Sequence, residues 1–422
     1  MKTYTSEEKH ELMLKTPMTK LLVTMSIPTV ISQLISVFYN TADTWFVSQI
    51  STRASAAVGV AFALQSLIQA LGFGFGIGGG SIVGRLLGAK KDEEAAVYAT
   101  SSLFISVVFG CLILTFGLIF IDPLMRLLGA TETMLPYAKE YAKYILMAAP
   151  IMCAAFVLNI NLRFQGEARL ATIGLASGGI LNVILDPILI FACNLGIAGA
   201  AIATAVSQCV SFGVMLFFFM RKSIVRLHPK YISRKFSVYW KTFTTGVPTI
   251  CRQGLASIAT AMLNRAAGLH GDEAVAAMSI AVKIYNLVRN VVLGIGQGFQ
   301  PIASYNYGAG DKRRTREAFW RAVLIGTVIS TVAAVFLAIF AGPIVRWFRN
   351  DDKVVEVGIR AVYYMCMVMP LMAFSTYVNQ LYQCLGFRVA ATFLATCRQG
   401  VFFIPLALFL PKVLALTGVQ VL

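Results

Sequence analysis

The sequence predicts an all-α polytopic membrane protein of two six-helix lobes, related as a parallel pseudo-two-fold repeat. Three observations predict it: the composition, a series of apolar runs of bilayer length, and an internal repeat in one constant register. Of the 422 residues, 58% are hydrophobic and only 13% are charged. A soluble chain of this size needs far more charge to cover its surface. Apolar runs of about 20 residues match the hydrocarbon thickness, and in lipid they must be helices because backbone groups find no other partners. The first 20 residues are polar and charged, so no cleavable signal peptide is expected.

Membrane helices are expected at 18–43, 56–83, 95–121, 137–161, 168–192, 196–220, 240–264, 274–302, 317–341, 357–383 and 388–411. A twelfth begins near Leu416 and is cut off at Leu422, so the second lobe is expected to be truncated. Lys and Arg gather at the N-terminus and in the even-numbered loops, most densely from Arg221 through Lys241. The positive-inside rule makes these segments cytoplasmic, and a bacterial inner membrane is the expected location. The net charge of +17 therefore reflects loops facing cytoplasm and anionic lipid, and nucleic acid is excluded as a partner. None of the eight cysteines forms a CxxC pair, and His10, His228 and His270 are read as loop residues, so neither disulfides nor a histidine metal site is expected.

Shifted by 220 residues, the sequence meets itself without gaps. Pro28 falls on Pro248, Gln33 on Gln253, Gly74, Gly76 and Gly78 on Gly294, Gly296 and Gly298, Pro123 on Pro343, Arg126 on Arg346, Pro150 on Pro370, and Asn159 on Asn379. Six helices per copy is an even number, so both copies enter the membrane in the same direction. The expected division is an N-lobe at 1–220, a cytoplasmic linker at 221–239 and a C-lobe at 240–422. Gly74, Gly76 and Gly79 fit a dinucleotide fingerprint, but they lie inside an apolar helix rather than between a strand and a helix. Gly72, Gly76, Gly80, Gly84 and Gly88 instead form a stripe for close helix packing.

Where the copies differ, specialised chemistry is expected. Asp43 and Asp186 are the carboxylates inside apolar runs away from the ends, and the repeat replaces them with Leu263 and Leu406. A carboxylate inside a membrane is costly and is a functional candidate by default. Asn182 precedes Asp186 by one helical turn, Tyr39 and Asn40 precede Asp43, and Thr204 lies inside the sixth helix. Carboxylate, amide and hydroxyl oxygens suit Na⁺, and the same carboxylates can carry a proton. The alternatives are that Asp43 caps a helix end and that Pro187 marks a helix break beside Asp186. The second half carries Arg252, Lys283, Arg289 and Arg398 within its membrane helices, either snorkelling to an interface, lining a cavity or pairing with carbonyls.

With these residues in view, the chain resembles the MATE (multidrug and toxic compound extrusion) family of the MOP exporter superfamily along nearly its whole length. The resemblance rests on Ser26-Ile27-Pro28, Thr41-Ala42-Asp43-Thr44-Trp45, Gly88-Ala89-Lys90, Arg163-Phe164-Gln165-Gly166-Glu167, Asn182 through Pro187, Gly298-Phe299-Gln300-Pro301 and Tyr305-Asn306-Tyr307-Gly308-Ala309. It implies a V-shaped monomeric antiporter that exports small organic compounds, mostly cationic drugs, against H⁺ or Na⁺, with no further cofactor. Likeness to the DinF-like branch implies that Asp43, Asn182, Asp186 and Thr204 form the coupling site and hold Na⁺ where sodium is the coupling ion. It implies a supporting polar cavity from Tyr39, Asn40, Tyr141, Asn159, Gln33 and Gln253. Membrane lipids are the remaining expected partners. A lipid-linked precursor flippase of related fold is the alternative, and a membrane-embedded enzyme the remote one, since no convergent nucleophile, base and metal set appears.

Overall fold

The computed structural model describes residues 5–268, 272–348 and 351–406. Among these it contains fourteen α-helices and no strand. In the first half they are α1 (Ser6–Lys15), α2 (Met18–Ser48), α3 (Thr52–Gly88), α4 (Asp92–Ile119), α5 (Ile121–Leu127), α6 (Leu135–Phe164), α7 (Ala168–Pro187) and α8 (Gly196–Lys222). In the second half they are α9 (Phe236–Gly268), α10 (Asp272–Gly308), α11 (Lys312–Ile339), α12 (Ala341–Phe348), α13 (Asp352–Leu385) and α14 (Arg388–Thr396). Ten described spans are long and apolar enough to cross a bilayer, and α9 adds a further helix of 33 residues. Every expected membrane helix is matched. The stretch expected to open a twelfth helix, and the last residues of the eleventh, lie outside the described residues.

The halves repeat in packing as well as in sequence. In the first, α6 packs on α3, α4 and α8; in the second, α13 packs on α10 and α11. The Asn159 amide donates to the Ala171 carbonyl at 2.8 Å, and the Asn379 amide donates to the Ala391 carbonyl at 2.7 Å. Each bond ties the end of one long helix to the start of the next. The short helices α5 and α12 also lie one repeat apart, with Arg126 and Arg346 in their last turns. They were not expected, because seven or eight residues fall below the length at which an apolar run signals a membrane span.

Between the halves, α2 packs on α10 and α9 packs on α3. Glycine permits this approach. A Cβ added at Gly294 would lie 2.7 Å from Val30 Cα, and its repeat partner Gly74 stands against Ile250, the repeat partner of Val30. The stripe expected from the sequence mainly serves a different contact: Gly72, Gly76 and Gly80 face Phe156, Ile160 and Phe164 of α6. Hydrogen bonds between the halves gather at the end carrying the basic loops. Arg85 Nη1 donates to the Leu385 carbonyl at 2.6 Å, Arg314 Nη2 to the Thr16 carbonyl at 2.8 Å, and Thr29 to the Gly294 carbonyl at 2.6 Å. These bonds lie at positions 10–29, 85 and 163 of the first half and at positions 294–321 and 385 of the second.

The N-terminal segment corrects one expectation. His10 is not in a loop but on α1, which opens with a capping box: Glu8 N donates to Thr5 Oγ1 at 3.2 Å, and Thr5 N donates to the Glu8 carboxylate at 2.9 Å. Those reciprocal bonds satisfy backbone donors that a helix start otherwise leaves open.

Candidate ion-coupling site

Four helices of the first half bring the candidate residues together. α2 runs on to Ser48, so Asp43 lies more than a turn inside it and is 3% exposed, not a cap at a helix end. α7 supplies Asn182 and Asp186, one turn apart on one face, and α8 supplies Thr204. α6 supplies Tyr141, fully buried beside Asp43 and Thr204. After Asp186 the helix does not break. It passes through Pro187 into a π-helical turn at Ile188–Ala192. Proline donates no backbone hydrogen bond, and a π turn widens the helix locally, a device frequent at functional sites.

The Asn182 amide donates to Asp186 Oδ1 at 3.3 Å and reaches Thr204 Oγ1 at 3.4 Å. Asp186 lies within electrostatic range of Asp43. A small cavity beside the group is lined by Tyr39, Gly178, Asn182, Thr204 and Ser207. What distinguishes the place is its unsatisfied oxygens. Asn182 Oδ1, Asp186 Oδ2 and Ser207 Oγ are buried without a hydrogen-bond partner, and Asp43 Oδ1 and Tyr141 OH are buried near each other without a well-formed hydrogen bond. A lost partner costs a buried polar atom about 1–3 kcal/mol, so native interiors rarely leave such groups together. Ser207 carries no signal of its own in the sequence beyond its place three residues after Thr204 on α8, an i, i+3 neighbour.

The remaining candidates separate. Tyr39 borders the cavity, while the Asn40 amide donates to the Ser36 carbonyl of its own helix at 2.8 Å. Asn159 spends its amide on the Ala171 carbonyl as a structural tie. Gln33 and Gln253 are half-buried, one in each half. Among the described residues no group of three His, Cys, Asp or Glu side chains could hold a metal ion. The donor set is instead two carboxyls with neutral amide and hydroxyl oxygens. Those are hard oxygen donors of low total charge, which fit Na⁺ or a proton rather than zinc or a redox metal.

In the second half the charge reverses. Leu263 and Leu406 stand where Asp43 and Asp186 would repeat, both on described helices. Arg252, Arg289 and Arg398 lie within electrostatic range of one another instead.

Comparison with known proteins follows this plan. The MatE family profile matches twice, over residues 28–188 and again over 248–409. The chain belongs to the MatE family. The two matched segments begin 220 residues apart, which is the register of the internal repeat. The chain is 28% identical over 410 residues to the FAD transporter of Shewanella oneidensis, covering 95% of this chain and 90% of the relative. It is 26% identical over 402 residues to the multidrug export protein MepA of Staphylococcus haemolyticus, covering 95% and 88%. Among solved structures it is similar to an outward-facing multidrug resistance MATE transporter of the MOP superfamily, with 28% identity and a TM-score of 0.89 over 97% of this chain and 91% of that one. The MatE chain is thus a multi-pass membrane transporter and not an enzyme.

Proposed function

We propose that this MatE chain is an H⁺- or Na⁺-coupled antiporter that exports small organic compounds, drugs and toxic compounds among them, by alternating access. The observation that carries the reading is the cluster of five buried oxygens without well-formed hydrogen bonds around Asp43 and Asp186, carboxylates that the repeat replaces with leucine. Two carboxyls buried this close do not both stay charged without a counter-charge. A proton on one of them, or Na⁺ held by Asp43, Asn182, Asp186 and Thr204 with Tyr141 at the side, supplies it. An ion that binds one arrangement of the lobes better than the other shifts their equilibrium by that difference in affinity.

The lobes we assign are 1–220 and 240–422, joined by a linker at 221–239. The N-terminus and that linker are assigned to the cytoplasm of a bacterium, and the chain to the inner membrane as a monomer. On this orientation the hydrogen bonds between the lobes close the cytoplasmic side. The similar proteins are named for FAD transport and for multidrug export. Among the described residues, the second lobe offers no carboxylate deep in its membrane helices to receive a cation. The cargo we propose therefore includes anionic as well as cationic organic compounds.

The test is transport in proteoliposomes under an imposed H⁺ or Na⁺ gradient, with ethidium and fluorescein as cationic and anionic reporters. Gradient-driven movement of either supports the reading. Equal movement with and without a gradient overturns coupling.

A further inference from the structure

We propose that Arg252, Arg289 and Arg398 form a binding site in the second lobe for the phosphate or carboxylate group of an organic anion. The site rests on the transport reading for its purpose but not for its geometry.

All three arginines lie well inside their helical spans. Arg252 is the central residue of α9 (Phe236–Gly268), Arg289 is one residue from the centre of α10 (Asp272–Gly308), and Arg398 lies in the π-helical turn Cys397–Phe403, ten residues past the start of its span at Arg388. A 33-residue helix is about 50 Å long, so its central residue is about 25 Å from either end. A hydrocarbon core about 30 Å thick therefore includes this central residue wherever the core falls along the helix.

At that depth a charge needs a partner. Among the described residues, none of the three forms an ion pair. Their hydrogen bonds go to neutral groups. Arg252 Nη1 donates to Asn379 Oδ1 at 3.2 Å, Arg289 Nη1 to Asn286 Oδ1 at 3.1 Å, and Arg398 Nη2 to the Tyr285 hydroxyl at 2.8 Å. Tyr285 and Arg289 are one turn apart on the same face of α10. These bonds orient the guanidiniums without neutralising them. Each guanidinium has five N–H donors, arranged as a fork that matches a carboxylate or phosphate. Arg252 and Arg289 are half-buried and Arg398 is exposed, so the unused donors remain open to a ligand.

The repeat sharpens the assignment. Ser32, Gln69 and Gly178 occupy the matching positions of the first lobe, and all are neutral. Gly178 lines the small cavity beside the coupling site, and its counterpart is Arg398. Asn159 and Asn379 make the same tie to the next helix, but Asn379 also carries Arg252 on its carbonyl oxygen. The backbone departs from the repeat here too. Cys397–Phe403 is a π-helical turn, whereas the matching stretch of the first lobe lies within the regular helix α7. Charge, side-chain partners and backbone therefore depart from the repeat at one place.

The test is binding, measured by fluorescence anisotropy of fluorescein on the full chain in phosphatidylcholine nanodiscs with no gradient imposed. The wild type binds fluorescein, and inorganic pyrophosphate competes. Arg252→Gln, Arg289→Gln and Arg398→Gln each raise Kd by about 10- to 100-fold, the scale of a lost charge-assisted hydrogen bond. Arg252→Lys, which keeps the charge, recovers part of the loss. Arg360→Gln, an exposed arginine on α13 paired with Glu356, leaves Kd unchanged. Adding phosphatidylglycerol separates the sources: competition makes the ligand a lipid phosphate, and no competition makes it a free solute. No binding by the wild type, or unchanged Kd in a monodisperse triple Gln variant, overturns the site. Because no gradient is applied, such a failure leaves the Asp43 and Asp186 reading standing, and a silent coupling site leaves the binding result standing.

Discussion

Lys9 on α1 places its ammonium 2.5 Å from the carboxylate of Glu167, 158 residues further along the chain, with both side chains largely buried. Burial pulls the Lys9 pKa below its ordinary value, and Glu167 opposes that shift by charge and by hydrogen bond. The next residue, His10, places Nδ1 2.9 Å from the Tyr305 hydroxyl in the second lobe. α1 is thus a strap bonded to both lobes, through Ser6 and Lys9 to the first and through His10 and the Met13 carbonyl to the second, at the end where hydrogen bonds between the lobes gather.

The two ends of the Lys9–Glu167 pair are not equivalent to mutation. Glu167→Gln leaves a buried ammonium without its counter-charge, a loss of about 3 kcal/mol or more for buried pairs. Lys9→Met removes the charge and keeps an apolar side chain of similar length, so it is the milder change. Thermal unfolding in detergent, followed by tryptophan fluorescence, reads the difference. A Tm for Glu167→Gln equal to that of Lys9→Met would show that the ion pair contributes no more than its packing.

Asp43→Asn and Asp186→Asn keep size and polarity but remove the titrating charge. Each is expected to cut gradient-driven efflux about 10-fold or more, within the range of a coupling free energy of 1–3 kcal/mol. Cargo binding without a gradient is expected to persist. Glu93→Gln, an acid in the first turn of α4, serves as the control of equal charge. Full gradient-driven transport by the Asp43→Asn, Asp186→Asn double variant sinks the coupling assignment.

Topology is open to a direct measurement. Glu7 and Lys235 are exposed, one on α1 and one in the linker. In a background freed of its exposed native thiols, Cys111, Cys193 and Cys209, cysteine at either position should resist impermeant maleimide in intact cells. It should react once the membrane is opened. Labelling from outside reverses the orientation.

The membrane helices were legible because the bilayer enforces one length and one backbone solution on every span. The coupling candidates were legible because the repeat supplies an internal control: Asp43 and Asp186 stand out against Leu263 and Leu406. α1 escaped because it is short and polar, and length and apolarity carry the signal for membrane helices; its capping box, Thr5 to Glu8, was the trace it left. The π turns after Pro187 and at Cys397 escaped because a shift from i+4 to i+5 hydrogen bonding leaves composition unchanged. Arg252, Arg289 and Arg398 were visible as deep basic residues. Their mutual proximity was not, because it depends on how α9, α10 and the last described span pack.

The two tying asparagines make a matched pair. Asn159→Ala and Asn379→Ala each remove one backbone-directed hydrogen bond, worth about 1 kcal/mol net. Asn379→Ala also removes the oxygen that accepts from Arg252, leaving that guanidinium less supported. The second variant is expected to lower Tm by more than the first. Equal shifts would mean that Arg252 draws no support from Asn379.

The contact of His10 with Tyr305 predicts a response to acid. Burial holds the His10 pKa below 6.5, Lys90 adds to the shift, and Asp92 opposes it. A histidine freed from this contact titrates near its ordinary value, so protons bind the released strap better than the docked one. The contribution is therefore full above about pH 6.5 and is lost as pH falls through the lowered value of the docked state. Spin labels at Glu7→Cys and Arg313→Cys, both exposed, read the distance between α1 and the start of α11. At pH 7.5 the distribution should be narrow, and at a pH acid enough to protonate the docked histidine it should broaden as α1 leaves the second lobe. His10→Gln keeps a neutral hydrogen-bonding group at either pH, so its distribution should not change between the two. Broadening in His10→Gln equal to that of the wild type would assign the response to another group, with Asp92 and the Lys9–Glu167 pair as the charged neighbours to test. A wild-type distribution that is the same at both pH values would remove His10 as the acid-sensitive point of the strap.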